Sequence, residues 1–283
     1  MQQKNIHWFP GHMVKALREI KEKINLVDVV VEIVDARCPI SSKNPFLDEI
    51  INNKEKMIVF SKKDLCDEIK IKVFKKYYNE KGYEVVIADL NNKNDISKII
   101  TTINFLGKGK QEKYIKRGMK PQPLKIMIIG IPNVGKSTLI NRLVKKNAAS
   151  TRNTPGHTKA QQWVRINQNF DLLDTPGILP PHYEDKVTST NLALIGSIKD
   201  DILPLDEVFT SLFNFLIRNY KDDFYKKYSI GSDISEAEVV QLIGQNRGLL
   251  LKGGIVDTDA VKKMIIKEFR AGIIAKVVVD EEC

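Results

Sequence analysis

The chain has 283 residues, of which 42% are hydrophobic, enough for a full core and against global disorder. Its formal net charge of +10 points to a polyanionic partner or an acidic surface, although a solvated Lys-rich surface would give the same figure. The three scattered cysteines, Cys38, Cys66 and Cys283, argue against a disulfide framework and a zinc module. With neither a signal-peptide pattern nor a membrane-length apolar run, the expected location is cytoplasmic.

The N-terminal arm carries His7-Trp8-Phe9-Pro10-Gly11-His12, aromatic and turn-like. A helical stripe follows, with Met13, Leu17, Ile20 and Ile24 on one face. Trp8 and Phe9 read as anchors for the arm. His12 has two readings: a loop histidine near a helix start, which the spacing favours, or a polar group delivered to a nucleotide site.

Residues 28–35 read as a buried strand ending at Asp35, and residues 46–51 as a helix. A second strand, 57–60, runs into Ser61-Lys62-Lys63-Asp64. A helix is expected over 67–81 and a third strand over 84–88. Strands alternating with helices predict a parallel α/β sheet, and ligands of such sheets lie at the carboxyl ends of strands, where Asp35, Asp64 and Asp89 fall.

Ser61-Lys62-Lys63-Asp64 resembles the guanine-reading N-K-x-D of GTPases. One carboxylate, that of Asp64, can accept from both the ring N–H and the exocyclic amine of guanine, a donor pair adenine lacks. The Lys62 stem would cover the base. Ser61 stands where asparagine is usual, and one hydroxyl makes fewer bonds than an amide, so weaker nucleotide binding is expected. Ala88-Asp89 is a poor match to the backbone contact to the base expected one strand later.

Residues 107–123 hold six basic side chains against one acidic, with three glycines and two prolines. They read as a surface linker whose charge would suit either RNA phosphates or plain solvation.

Residues 124–129 form a short apolar run that reads as a strand. Gly130-Ile131-Pro132-Asn133-Val134-Gly135-Lys136-Ser137 follows and fits the phosphate-binding loop. After it, the apolar residues of 137–144, Leu139, Ile140, Leu143 and Val144, fall at helical spacing. Strand, glycine loop and helix are what the chemistry needs, because backbone N–H groups and the helix N-terminus converge on a phosphate. Lys136 would add a charge at the β- and γ-phosphates, and Ser137 a hydroxyl for Mg²⁺.

A polar loop, 148–159, contains Thr154-Pro155-Gly156-His157-Thr158. Strands are expected at 162–166 and 170–173, joined as a hairpin. The second runs into Asp174-Thr175-Pro176-Gly177, a D-x-x-G element. Asp174 would hold Mg²⁺ through a water, the Gly177 N–H would touch the γ-phosphate, and Thr158 would supply a second Mg²⁺ hydroxyl. These two loops read as switches.

Pro204 marks an expected boundary between a domain of residues 1–203 and one of residues 204–283. Beyond it, helices are expected at 206–219, 222–228, 235–243 and 257–270, with Ser235 and Glu238 at a helix start. Lys262, Lys263, Lys267, Arg270 and Lys276 suit an RNA-docking module, and a plain packing domain is the alternative.

The base-reading tetrad precedes the phosphate loop, the reverse of the standard GTPase order. With Trp8-Phe9-Pro10-Gly11-His12-Met13, Asp35-Ala36-Arg37-x-Pro39, Pro155-Gly156-x-Thr158, Gln161-Gln162-Trp163, Asp174-Thr175-Pro176-Gly177, Leu251-Lys252-Gly253-Gly254 and Phe269-Arg270-x-Gly272, nearly the whole chain resembles the circularly permuted GTPase family of bacterial ribosome biogenesis GTPase A. The resemblance implies an α/β fold: a permuted P-loop GTPase domain, with a mostly parallel sheet flanked by helices, and a small all-α C-terminal domain. It implies a GTPase using GTP, GDP and Mg²⁺, slow by itself and stimulated on the large ribosomal subunit precursor, whose RNA it binds, with the protein a monomer off the ribosome. The nucleotide would be held by Ser61, Lys62, Lys63, Asp64, Ala88, Asp89, Asn133, Val134, Gly135, Lys136, Ser137, Thr138, Thr158 and Gly177, and Mg²⁺ by Ser137, Thr158 and Asp174. Ile178 stands where a water-orienting glutamine is usual, so the resemblance makes His12 the catalytic candidate, with His157 a local rival. Asn133 matches GTPases that recruit K⁺. The competing expectations are an RNA-binding scaffold with structural nucleotide and little turnover, and a permuted GTPase of the small subunit.

Overall fold

The structure is a computed structural model, and it describes residues 11–51, 53–145, 163–166, 168–173, 186–198, 204–231 and 234–281. Six strands form one sheet in the order β3-β2-β1-β4-β6-β5. These are β1 (Val29–Asp35), β2 (Glu55–Ser61), β3 (Glu84–Ile87), β4 (Leu124–Ile129), β5 (Trp163–Arg165) and β6 (Phe170–Leu173). Five strands run parallel, and β5 closes the edge antiparallel to β6, as a hairpin requires. The chain's first strand therefore lies at the centre, beside β4, the strand that feeds the phosphate loop.

Every residue of β1 is buried, as a strand covered on both faces must be. Alternate residues divide between the faces. Val29, Val31 and Ile33 join Ile126 and Ile128 in one cluster with α4 (Lys93–Leu106) and α6 (Lys136–Lys145). Val30, Met127 and Ile129 face Ile20 of α1 (Gly11–Lys23) and Leu47 and Ile51 of α2 (Pro45–Ile51). Val34, Ile58 and Phe60 pack with Ile71, Phe74 and Tyr78 of α3 (Lys70–Glu80).

The 107–123 segment is not simply a linker, because Lys108–Lys116 forms helix α5. None of its residues is buried. A Lys108–Glu112 pair one turn apart and a Lys110–Asp28 ion pair at 3.3 Å support it instead. A further helix without a sequence expectation, α7 (Lys186–Leu194), buries Ser189 and Asn191 beside Leu192, Ala193 and Leu194.

The elements named in the C-terminal part are helices: α8 (Leu205–Asn219), α9 (Lys221–Tyr228), α10 (Glu236–Arg247) and α11 (Thr258–Arg270). Ser235 and Glu238 form the expected capping box at the start of α10. Phe209, Leu212, Leu216, Ile243, Val261, Ile265 and Phe269 belong to the same apolar cluster as the α4 side of the sheet. The change of architecture at Pro204 is thus not a break in the core. The tail then returns to the sheet, where the Val279 N–H donates to the Arg37 carbonyl and Val277 exchanges bonds with Leu65 and Asp67. The Asp280 carboxylate accepts from the Ile40 and Ser41 N–H groups, the Ser41 hydroxyl and the Asn191 amide.

Candidate functional site

The carboxyl ends of β4, β1 and β2 form one edge, with Glu32 opposite Ile129 and Asp35 opposite Ser61. The phosphate loop leaves β4 there and enters α6 at Lys136. Its backbone needs glycine: Gly130 has φ 151°, and a Cβ on it would stand 2.5 Å from the Ile33 carbonyl oxygen. Gly135 has φ 103° and Asn133 a left-handed φ of 63°. Buried Ile131 and Val134 pin the loop to the core. Lys136 Nζ lies 3.5 Å from the Gly130 carbonyl, folded over the loop, and Ser137 and Thr138 are exposed on the first helical turn. The N-terminal N–H groups and dipole of a helix favour an anion at such a turn.

The Ser61-Lys62-Lys63-Asp64 tetrad meets this loop directly. Ser61 is fully buried, and its hydroxyl lies 2.6 Å from the Val134 carbonyl and 3.0 Å from that of Val34. It joins the end of β1 to the phosphate loop. Lys62 takes a left-handed φ of 56°, and its ammonium sits 2.7 Å from an Asp35 carboxylate oxygen. The Lys63 N–H donates to the Ala88 carbonyl, while Asp64 is exposed. The Ala88 N–H is spent on Phe60, and the Asp89 N–H on the Asp95 carboxylate, so a base contact there would have to displace the second bond.

Beneath the tetrad lies a buried ionic group. Asp35 accepts from the Arg37 backbone N–H, Nε and Nη2 at 3.0, 3.0 and 2.8 Å. Burial pushes the Asp35 carboxyl up, but the Arg37 guanidinium and then the Lys62 ammonium outweigh it and hold it at about 2. The other side of the Arg37 fork donates to the Arg270 carbonyl at 2.8 Å and the Ile195 carbonyl at 3.4 Å. Arg270 in turn donates to the Ala193 and Leu194 carbonyls, and Asn133 Nδ2 to the Gly196 carbonyl at 2.9 Å. Four successive carbonyls, 193–196, at the negative end of α7 are thus held by donors from three parts of the chain. Arg37 and Arg270 stand in the motifs quoted above, but 233 residues separate them, and no spacing rule links them.

Not every expected residue can be located. His12 lies in the first turn of α1, whereas Thr158, His157, Asp174, Gly177 and Ile178 lie outside the described residues.

A family model described as 50S ribosome-binding GTPase matches residues 125–207. Ribosome biogenesis GTPase A of Bacillus cereus is 42% identical over 273 residues, covering 96% of this chain and 92% of that protein. The chain belongs to the ribosome biogenesis GTPase A family. Its Bacillus pumilus member is 43% identical over 267 residues, 94% of each chain. Among solved structures, GNP-bound YlqF from T. maritima superposes with a TM-score of 0.70 at 26% identity, covering 95% of this chain and 98% of that one. The family's fold is the permuted GTPase arrangement expected from the motif order, with a mostly parallel sheet flanked by helices.

Proposed function

We propose that the chain is a GTP-hydrolysing assembly factor that binds the precursor of the large ribosomal subunit and promotes its late maturation. The GTP state drives association and hydrolysis drives release, so the free energy serves timing rather than substrate chemistry. The observation that carries this reading is the 2.6 Å approach of Ser61 Oγ to the Val134 carbonyl, which puts a guanine-type reading loop and a phosphate loop on one edge of the sheet. The names of the Bacillus relatives support the ribosomal partner.

In this reading Asp64 selects guanine and the Lys62 stem covers the base. Ser61, Lys63 and the 88–89 turn frame it. Asn133, Val134, Gly135 and Thr138 line the phosphates with Lys136. The exposed Ser137 hydroxyl at the head of α6 fits Mg²⁺, which Thr158 and Asp174 would also hold. Bound Mg²⁺ would offset charge developing on the β- and γ-phosphate oxygens. The Gly177 N–H contacts the γ-phosphate, and His12 orients the attacking water in place of a glutamine. The Asn133 bond to Gly196 uses the amide N–H and leaves Oδ1, the atom K⁺ requires. The slow intrinsic rate rises when ribosomal RNA orders the site. Off the ribosome the protein is a cytoplasmic monomer, with residues 204–283 as its RNA-binding domain.

Co-sedimentation tests the timing. A non-hydrolysable GTP analogue should hold the protein on large-subunit precursors and GDP should release it. Equal binding in both states would favour the competing reading of a nucleotide-stabilised RNA scaffold.

A further inference from the structure

Half-buried Lys62 joins the buried Asp35 and Arg37 in one line of charge that continues into the ends of two helices. Lys62 occupies a left-handed conformation that is unfavourable for a non-glycine residue, so something must hold it there. Its ammonium is held by Asp35 at 2.7 Å, and Asp35 is itself fully buried. Arg37, only 1% exposed, divides its donors: Nε and Nη2 face Asp35, while Nη1 and Nη2 also reach the Arg270 and Ile195 carbonyls. A planar guanidinium bound on both sides cannot shift on one side alone.

The line also closes on the phosphate side. Gly196, next to Ile195, accepts from Asn133 of the phosphate loop, and Ser61, next to Lys62, reaches Val134 of the same loop.

We propose that Arg37 is a positioning residue for Lys62, acting through Asp35, and that its hold on the Arg270 and Ile195 carbonyls lets the ends of α11 and α7 set the guanine side of the nucleotide site. The inference rests on the guanine-nucleotide site proposed above. A core arginine that merely stitches the fold together would affect both ends of the site alike. A positioning residue affects the base end and spares the phosphate end.

The test is calorimetric titration of the full chain with GDP and, separately, with inorganic pyrophosphate, for wild type and Arg37→Lys. A lysine can still neutralise Asp35 but cannot span both carbonyls. GDP affinity should fall about tenfold, the equivalent of one lost stacking contact, while pyrophosphate affinity stays within about twofold, below 0.5 kcal/mol. Unchanged GDP affinity, or an equal fall for both ligands, overturns the proposal. Should the variant not unfold cooperatively, hydrogen exchange on wild type decides. GDP, but not pyrophosphate, should slow the amides of Ala271 and Gly272 beside the Arg270 carbonyl, and identical exchange with the two ligands overturns it. If the wild type binds pyrophosphate but not GDP, the guanine-site reading fails as well.

Discussion

A serine hydroxyl has one hydrogen, and Ser61 has two carbonyls within reach, at 2.6 and 3.0 Å. The shorter approach ties the phosphate loop to the sheet. Ser61→Ala leaves the Val134 carbonyl without that partner in a buried place, at a cost of about 1–2 kcal/mol. Thermal unfolding should fall accordingly and GDP should bind more weakly; a variant as stable as wild type would mean that the loop is held by its apolar anchors alone. Asp35 gives a second test at this scale. Its folded value, about 2, is depressed from 3.8. A depressed carboxyl stabilises the fold above its unfolded pKa, and that contribution, about 2 kcal/mol, is lost as pH falls from about 4 towards about 2. Carbon-detected NMR of Asp35 should show a titration near the bottom of that window. A midpoint near 4 would mean that the carboxylate is not held by Arg37 and Lys62. The tetrad and the phosphate loop are legible in sequence because their chemistry demands fixed residue types at short spacing. The Asp35–Arg37–Arg270 group is not, since its meaning appears only when residues 233 positions apart meet.

Elements were legible where apolar residues run on or recur at a fixed spacing. Strands β1 to β4 follow their short apolar runs, and helices α8 and α11 their one-sided stripes, to within a few residues. Helices α5 and α7 lack such a stripe and have no sequence expectation, and neither does α4, although it buries Ile96, Ile99 and Ile103 on one face. Helix α5 buries nothing, and α7 buries Asn191, whose partners Ser41 and Asp280 lie far away in sequence. Asn191 of α7 is bonded to Asp280, so the C-terminal tail helps to define that helix. Asp280→Ala would strand the Ile40 and Ser41 N–H groups and leave the Asn191 amide only its bond to the Ser41 hydroxyl. The expected loss is about 3 kcal/mol in chemical denaturation. A loss below about 1 kcal/mol would show that water replaces the carboxylate without penalty.

At the scale of the whole molecule, one apolar cluster runs from the sheet into the C-terminal helices, and the tail from those helices ends against the loop after β1. Surfaces that would meet RNA and the loops that would hold nucleotide therefore share a scaffold, which suits a timer better than two tethered modules. The motif order announced the permutation, but the common core could not be read from it. Two kinetic expectations belong here. Turnover should be faster in K⁺ than in Na⁺ if the Asn133 oxygen helps to hold a cation, and equal rates would remove that role. His12→Ala should abolish ribosome-stimulated turnover with little loss of GTP binding; retained stimulation would exclude His12 from the chemistry.

The most direct measurement is GTP hydrolysis in K⁺ buffer by the full chain, alone and with purified large or small ribosomal subunits. The account predicts a slow rate alone, strong stimulation by the large subunit and little by the small one. Tight, guanine-specific binding with no stimulation by the large subunit would contradict it and leave a nucleotide-stabilised RNA scaffold in its place.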